Sequence, residues 1–151
     1  MNTRFTSNFV EIGCPELEKD EMVGIFNTLV QGFLDAKQFE QSVKTAACSG
    51  IHALVDLYTN VRQQIRATPM KSHYTFNLRD VARVVGGVFC CTNLKVKDVG
   101  DLLTVFVHES HRVFRDRLVD EEDERLFDDL LSSSYLKYFL QLPDQADKAE
   151  H

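Results

Sequence analysis

Hydrophobic residues recur at intervals of three and four along most of the chain, with polar residues between them. This spacing places the apolar side chains on one face of an α-helix. The pattern occurs in five segments, whose first apolar positions are Met22, Val43, Leu78, Leu102 and Leu126. Amphipathic helices joined by short connections are typical of a helical bundle. The sequence therefore predicts an all-α fold, a bundle of about five helices.

Each segment carries one apolar stripe that is expected to face the core. In the first, the stripe is Met22, Ile25, Phe26, Leu29, Val30, Phe33 and Leu34. In the second, which spans Phe39–Ala67 and ends before Pro69, it is Val43, Ala47, Ile51, Leu54, Tyr58, Val61 and Ile65. In the third it is Leu78, Val81, Val84, Val85 and Val88, and the glycines at 86 and 87 either permit close packing or weaken the helix there. In the fourth it is Leu102, Leu103, Phe106, Val113, Phe114 and Leu118, and in the fifth Leu126, Phe127, Leu130, Leu131, Tyr135, Tyr138 and Phe139.

The two ends of the chain follow a different pattern. Phe5 to Ile12 has the apolar content of a short strand, with no second strand in the sequence to pair with it. It is predicted to be an orphan strand, either paired with something outside this chain or lying loosely on the helices. At the other end, Pro143 opens a charged tail that is expected to be disordered. The predicted organisation is thus a strand remnant at 1–13, a helical domain at 14–141 and a disordered tail at 142–151.

Composition excludes several function classes. With 44% hydrophobic and 26% charged residues, the 151-residue chain has a globular composition and not a disordered one. The net charge of −6 argues against general nucleic-acid binding. The longest apolar runs are far shorter than the roughly 18 residues that would span a bilayer, so no membrane partner is expected. The polar stretch from Met1 to Asn8 also lacks the apolar core of a signal peptide.

No metal site or nucleophile is predicted. The four cysteines lack a Cys-x-x-Cys pair and are interpreted as reduced, mostly buried thiols of an intracellular protein; they are Cys14, Cys48, Cys90 and Cys91. His108 and His111 flank Glu109, but the metalloprotease signature requires histidines four apart, and these are three apart. They are interpreted as surface histidines, and no serine, cysteine and histidine grouping nominates a catalytic residue.

The stretch Lys71–Asp80 contains the most informative residues of the chain. Tyr74, Thr75 and Phe76 favour an extended backbone, and Asn77 is a predicted helix N-cap, with Asp80 three residues later in a position related to the capping box. Arg79 then falls in the first turn, where a cation is mildly unfavourable. An arginine at a helix N-terminus is, in outline, a phosphate-binding arrangement. A solvated surface arginine is the alternative, and Arg83 is expected to add to the local positive charge.

The same stretch carries a resemblance to a known family. It includes the run Thr68–Asp80 and then Arg83-Val84 followed by a glycine, and further downstream Val107-His108-Glu109, Arg112-Val113-Phe114 and Asp116–Asp120 in the same order and register. These residues resemble the lid subdomain of the third AAA+ module in dynein heavy chains of the axonemal type. Upstream, Thr3 to Phe9 resembles the last strand region of that module's large subdomain. The resemblance covers Arg4 to Leu140, and Gly86 and Phe106 depart from it, the latter standing where a tryptophan is usual.

The resemblance implies a role in an ATP-driven microtubule motor of the cytoplasm, the cytoskeleton and the axoneme of the cilium. It identifies Arg79 as the sensor-2 residue, which reaches nucleotide phosphates bound mainly by the large subdomain. The implied cofactor is ATP or ADP with Mg²⁺ in the parent module. The implied partners are the large subdomain of the same module, the neighbouring ring modules and, for the parent motor, microtubules. The third module is understood to regulate the motor cycle.

Two hypotheses remain open from the sequence. In the first, the chain is this lid and couples nucleotide state to ring motion. It has no Gly-rich phosphate loop, so the isolated fragment is expected to be no enzyme, to require no cofactor and neither to hydrolyse ATP nor to bind it tightly. In the second, the chain is a free-standing helical protein-protein interaction domain that binds a partner helix in an exposed apolar groove.

Overall fold

Five α-helices make up most of the part of the chain that the structure describes. The computed structural model describes residues 7–10, 12–13, 15–92 and 94–139. The helices are α1 (Lys19–Ala36), α2 (Gln41–Gln64), α3 (Leu78–Val88), α4 (Val99–Val113) and α5 (Glu121–Phe139), with a 3₁₀ turn at Arg115–Arg117 between α4 and α5. The described residues contain no β-strand. The predicted all-α bundle of five helices is confirmed.

Helix α2 lies at the centre of the bundle and contacts each of the other four α-helices. All seven apolar positions predicted for its core stripe are buried. The buried surface is wider than that stripe, because Ala46, Ala53, Val55 and Leu57 are also fully buried. A helix that is surrounded by others has little face left for solvent.

Helix α2 ends at Gln64, earlier than the predicted end at Ala67. The backbone turns out of the helix at Ile65, whose side chain remains buried in the core. The following segment then runs in an irregular conformation through Pro69 to Phe76. Pro69 therefore only sets a limit that the helix cannot pass, and the helix ends before it reaches that limit.

The predicted stripe of α1 is only partly buried. Ile25 and Leu29 are 46% and 53% exposed, whereas Val23, which was not in the stripe, is buried. Helix α1 lies at the outside of the bundle against α2 and, more weakly, α3. It therefore buries a narrower face than its sequence offers, and the two side chains form part of its open surface.

Close packing at the double glycine of α3 involves only one of its two residues. A Cβ added at Gly87 would fall within 2.5 Å of the Glu109 side chain on α4, whereas one added at Gly86 would meet nothing within 4 Å. Gly86 departs from the family pattern, and the packing of α3 on α4 tolerates this departure.

The predicted strand is not present in the part of its segment that the structure describes. Residues 7–10 and 12 form a turn, a bend and irregular backbone, and Val10 and Ile12 are 89% and 83% exposed. An extended segment is stabilised by hydrogen bonds to a neighbouring strand, and the described residues offer none. The other residues of this predicted strand, and the predicted tail at 142–151, lie outside the described residues.

Two further sequence interpretations can be compared with the structure. Cys90 is exposed and Cys48 and Cys91 are half-buried, so the interpretation of the cysteines as mostly buried is wrong for these three. Among the described residues, no helix combines the length and the apolar character needed to cross a membrane.

Candidate functional site

The start of helix α3 is closed by a reciprocal cap. The Oδ1 atom of Asn77 accepts a hydrogen bond of 2.9 Å from the backbone N–H of Arg79, and Oδ2 of Asp80 accepts one of 3.0 Å from the backbone N–H of Asn77. Asn77 itself is extended, with φ −139° and ψ 172°. The predicted N-cap and capping box are confirmed.

Asp80 is a buried carboxylate, only 2% exposed. Besides the Asn77 amide it has two cationic partners. Nη1 of Arg83 lies 3.2 Å from Oδ1, and Nη1 of Arg117 lies 3.1 Å from Oδ2. A buried carboxylate is stable only with such partners. Arg83, which was expected to add to the local positive charge, is thus paired with a carboxylate that it shares with Arg117.

Arg117 also holds the extended segment that leads into α3. Its Nη2 donates hydrogen bonds to the backbone carbonyls of His73 and Thr75, at 3.1 and 3.0 Å, and its guanidinium carbon lies 5.1 Å from the centre of the Phe76 ring. The carbonyl of Arg117 in turn lies 3.1 Å from Nε2 of His73. Sequence reasoning included Arg117 only as part of a family match and gave it no role.

A second set of contacts ties the same segment to the start of α5. The hydroxyl of Tyr74 donates to Oδ2 of Asp123 at 3.1 Å and accepts from the backbone N–H of Val119 at 2.9 Å. Lys71 forms ion pairs with Asp120 and Asp123, and hydrogen bonds to these two carboxylates raise the pKa of its ammonium group. The backbone before α3 is thus fixed from two sides.

Arg79 differs from every other arginine among the described residues. The others each make an ion pair or a side-chain hydrogen bond. The exposed Arg79 makes neither through its guanidinium, although its backbone N–H is bonded within the cap. The amides of Asn77, Arg79 and Asp80 are all used within the cap. At this helix start, the guanidinium of Arg79 is therefore more available to an anion than these backbone amides are.

An open cleft runs alongside this helix start. Its volume is about 620 Å³, and it lies between the start of α1, the end of α2 and residues 74–76, with Lys19, Arg62, Arg66, Tyr58 and Phe76 among its lining residues. A smaller depression beside it, about 270 Å³, reaches Asn77 and Leu78. Arg62 donates a 2.6 Å hydrogen bond to Glu16 at the cleft, which lowers the pKa of that carboxyl group.

The histidines that suggested a metal site lie elsewhere, on α4. Glu109 between them accepts two hydrogen bonds from Arg112, at 2.9 and 2.6 Å. His111 packs edge-on against Phe127, with ring centres 5.8 Å apart, while His108 lies on the exposed side 3.3 Å from Glu109. Glu109 is thus engaged by an arginine on its own helix.

Comparisons with known proteins extend the resemblance seen in the sequence. The sequence model of the AAA+ lid domain family matches residues 51–149. The chain is 34% identical to human "Dynein axonemal heavy chain 6" over 136 residues, which are 90% of this chain and 3% of that protein. It is 36% identical to human "Dynein axonemal heavy chain 1" over 138 residues, 85% of this chain and 3% of that protein. It is 34% identical to human "Dynein axonemal heavy chain 2" over 140 residues, 92% of this chain and 3% of that protein. The chain thus spans about 3% of the length of these relatives.

Proposed function

Because the chain belongs to the AAA+ lid domain family, we propose that it is the lid of the third AAA+ module of an axonemal dynein heavy chain. In this role it couples the nucleotide state of its module to the motion of the ring. The parent protein is then an ATP-driven microtubule motor of the cilium axoneme. Its relatives are axonemal dynein heavy chains by name, and the run Thr68–Asp80 supports the assignment to the third module.

The observation that carries the coupling role is the state of Arg79. Its helix start is held in place by the capping box and by Asp80, while its guanidinium is left without a side-chain partner among the described residues. An unpaired guanidinium on a fixed stretch of backbone is suited to a phosphate group, with which it forms charge-assisted hydrogen bonds. We infer that Arg79 contacts the phosphates of ATP or ADP, which are bound with Mg²⁺ mainly by the large subdomain of the same module.

The lid transmits this contact instead of catalysing a reaction. The stretch that carries Arg79 is bonded to the 3₁₀ turn and to the start of α5, so a displacement of Arg79 moves the rest of the bundle with it. The large subdomain of the module and the neighbouring ring modules are the partners that would receive this motion. The chain alone is expected not to hydrolyse ATP, since the phosphate loop is absent from its sequence.

Substitution of Arg79 tests this function. In the isolated chain, Arg79→Ala should leave the free energy of unfolding within about 0.5 kcal/mol of the unchanged protein, because the side chain has no partner to lose. In the intact motor it should remove about 1.5–3 kcal/mol of coupling between nucleotide and lid position. Thermal unfolding of the chain and ATP-dependent microtubule gliding of the motor measure the two effects.

A matched control is Arg125→Ala, which removes an exposed arginine that pairs only with Glu121 on its own helix. This variant should alter neither stability nor gliding appreciably. Unaltered gliding in Arg79→Ala, or equal changes in both variants, would return Arg79 to the class of ordinary surface residues.

One observation bears on the alternative of a free-standing interaction domain. An open apolar groove of about 260 Å³ runs between α4 and α5, lined mainly by Leu103, Val107, Leu131, Leu136 and Phe139. Leu136 is 55% exposed there. A lid that packs against other ring modules also presents incomplete apolar surfaces, so the groove is compatible with both functions. Sequencing of the parent gene upstream separates them, since a phosphate loop there supports the lid.

A further inference from the structure

We propose that Arg117 is the positioning residue for Arg79, an inference that rests on the proposed function of Arg79 as the phosphate contact. The guanidinium of Arg117 fixes the backbone that leads into α3 and the carboxylate that closes the capping box. Arg117 itself contacts no nucleotide in this scheme. Its effect is to hold the helix start at one place, so that the backbone that carries Arg79 is already ordered when the phosphate binds.

Among the described residues, the ion pair, the hydrogen bonds and the ring contact of the Arg117 guanidinium all fall on residues 73–80. One end-nitrogen binds the Asp80 carboxylate at 3.1 Å, and the other binds the carbonyls of His73 and Thr75 at 3.1 and 3.0 Å, while the guanidinium carbon lies 5.1 Å from the centre of the Phe76 ring. Only a planar, forked cation can satisfy these partners together. A lysine could keep the ion pair with Asp80 but would lack the second donor group and the flat face.

The contacts form a continuous path from Arg117 to Arg79. Arg117 binds Oδ2 of Asp80, the same oxygen that accepts the N–H of Asn77. Asn77 in turn accepts the N–H of Arg79 on its side chain. Loss of Arg117 would leave the buried carboxylate with Arg83 alone as its cation, and Arg83 is itself 65% exposed. The cap that holds the backbone of Arg79 would loosen as a result.

Arg117 is placed where it can link Arg79 to the last two helices of the bundle. It ends the 3₁₀ turn that joins α4 to α5, between the fully buried Phe114 and the buried Leu118. Its side chain is only 28% exposed. The position of this turn follows the packing of α4 and α5, so Arg117 makes the placement of Arg79 depend on those helices.

Amide hydrogen exchange on this chain tests the inference directly. The amides of Asn77 and Arg79 report on the cap, because both donate to its side chains. In Arg117→Ala they should exchange about tenfold faster or more, the effect of losing one or more charge-assisted hydrogen bonds. Arg117→Lys should also accelerate them, and it provides the measurement if Arg117→Ala fails to fold.

Arg115→Ala is the matched control. Arg115 lies in the same 3₁₀ turn but pairs with Glu124 and Asp128 on α5. Its loss should change exchange at Asn77 and Arg79 by no more than about twofold. Unchanged exchange at these two amides in the folded Arg117 variants, or equal acceleration in Arg115→Ala, would overturn the inference.

Microtubule gliding of the intact motor separates this inference from the proposed function. Arg117→Ala should alter gliding in the same direction as Arg79→Ala and raise the ATP concentration that gives half-maximal speed, while Arg115→Ala should not. If Arg79→Ala alters gliding and Arg117→Ala does not, the positioning role is overturned and the function of Arg79 stands. If neither alters gliding although exchange is accelerated, the proposed function is overturned and the structural link from Arg117 to Arg79 is supported.

Discussion

The ring of Phe106 on α4 lies directly against Gly50 on α2. A Cβ atom built at Gly50 would fall 2.7 Å from Cε2 of that ring, well inside van der Waals contact. Phe106 is fully buried, so the ring has no open space to move into. The absence of a side chain at position 50 is therefore what allows α4 to approach the central helix.

We expect Gly50→Ala to lower the free energy of unfolding by about 1–3 kcal/mol, because the added methyl group overpacks the contact with Phe106. Urea unfolding followed by circular dichroism measures the loss. Gly24→Ala is the control, since Gly24 also lies inside a helix but has nothing within 4 Å of its Cβ position. That change should stabilise the chain by about 0.5–1 kcal/mol. Stabilisation by both substitutions would contradict the tight packing at Gly50.

Two capping-box aspartates offer a comparison between a buried and an exposed carboxylate. Asp80→Ala should cost at least about 2 kcal/mol of stability, because it removes the acceptor of the Asn77 amide in the capping box and leaves Arg83 and Arg117 without their shared anion. Asp101→Ala removes the equivalent, exposed carboxylate of α4 and should cost about 1 kcal/mol or less. Equilibrium unfolding gives both values. Equal losses would mean that burial and the two arginines add nothing at Asp80.

Tyr135 makes the free energy of unfolding depend on pH in the alkaline range. Burial raises the pKa of its hydroxyl group well above the usual value near 10, and the group shares a 3.1 Å hydrogen bond with Ser110. Above about pH 10 the unfolded chain loses this proton while the folded chain keeps it. The unfolded state then binds fewer protons, so the free energy of unfolding falls as pH rises, by up to about 1.4 kcal/mol per pH unit from this residue.

Unfolding measured between pH 9 and pH 11 in the unchanged protein and in Tyr135→Phe isolates this effect. The variant starts less stable, because Ser110 loses its partner, but its stability should fall less steeply with pH. Parallel pH profiles in the two proteins would show that Tyr135 ionises equally in both states.

Asp56 on α2 binds side chains from the start of α1 and from the end of α5. It is 5% exposed, accepts a 2.6 Å hydrogen bond from the hydroxyl of Tyr138, and pairs with Lys137 at 3.0 Å and with Lys19. Tyr138→Phe should cost about 1.5 kcal/mol through loss of a hydrogen bond to a charged acceptor. A double-mutant cycle with Asp56→Ala, which removes the acceptor, checks the cause. Strictly additive losses would show that the two side chains are not coupled.

The sequence by itself determined the features that depend on neighbouring residues. Helix positions follow from the three-and-four spacing, and the start of α3 follows from Asn77 and Asp80, because capping is a contact between residues three apart. Family membership was likewise predicted from the run Thr68–Asp80 and the matching segments after it, and the match to the AAA+ lid family confirms it. The role of Arg79 stays a prediction that rests on this resemblance and on its unpaired guanidinium.

Only the tertiary structure decided which charges meet. Asp80 lies far from Arg117 in the chain, and so does Lys71 from Asp123, and no local rule pairs them. The same holds for burial: Ile25 and Leu29 share the spacing of core residues, yet no helix covers them. The spacing of apolar residues indicates which side chains share a face of a helix. The arrangement of the other helices determines whether that face is covered. That is why the sequence could nominate Arg79, whereas Arg117, which holds it in place, became visible only in the folded chain.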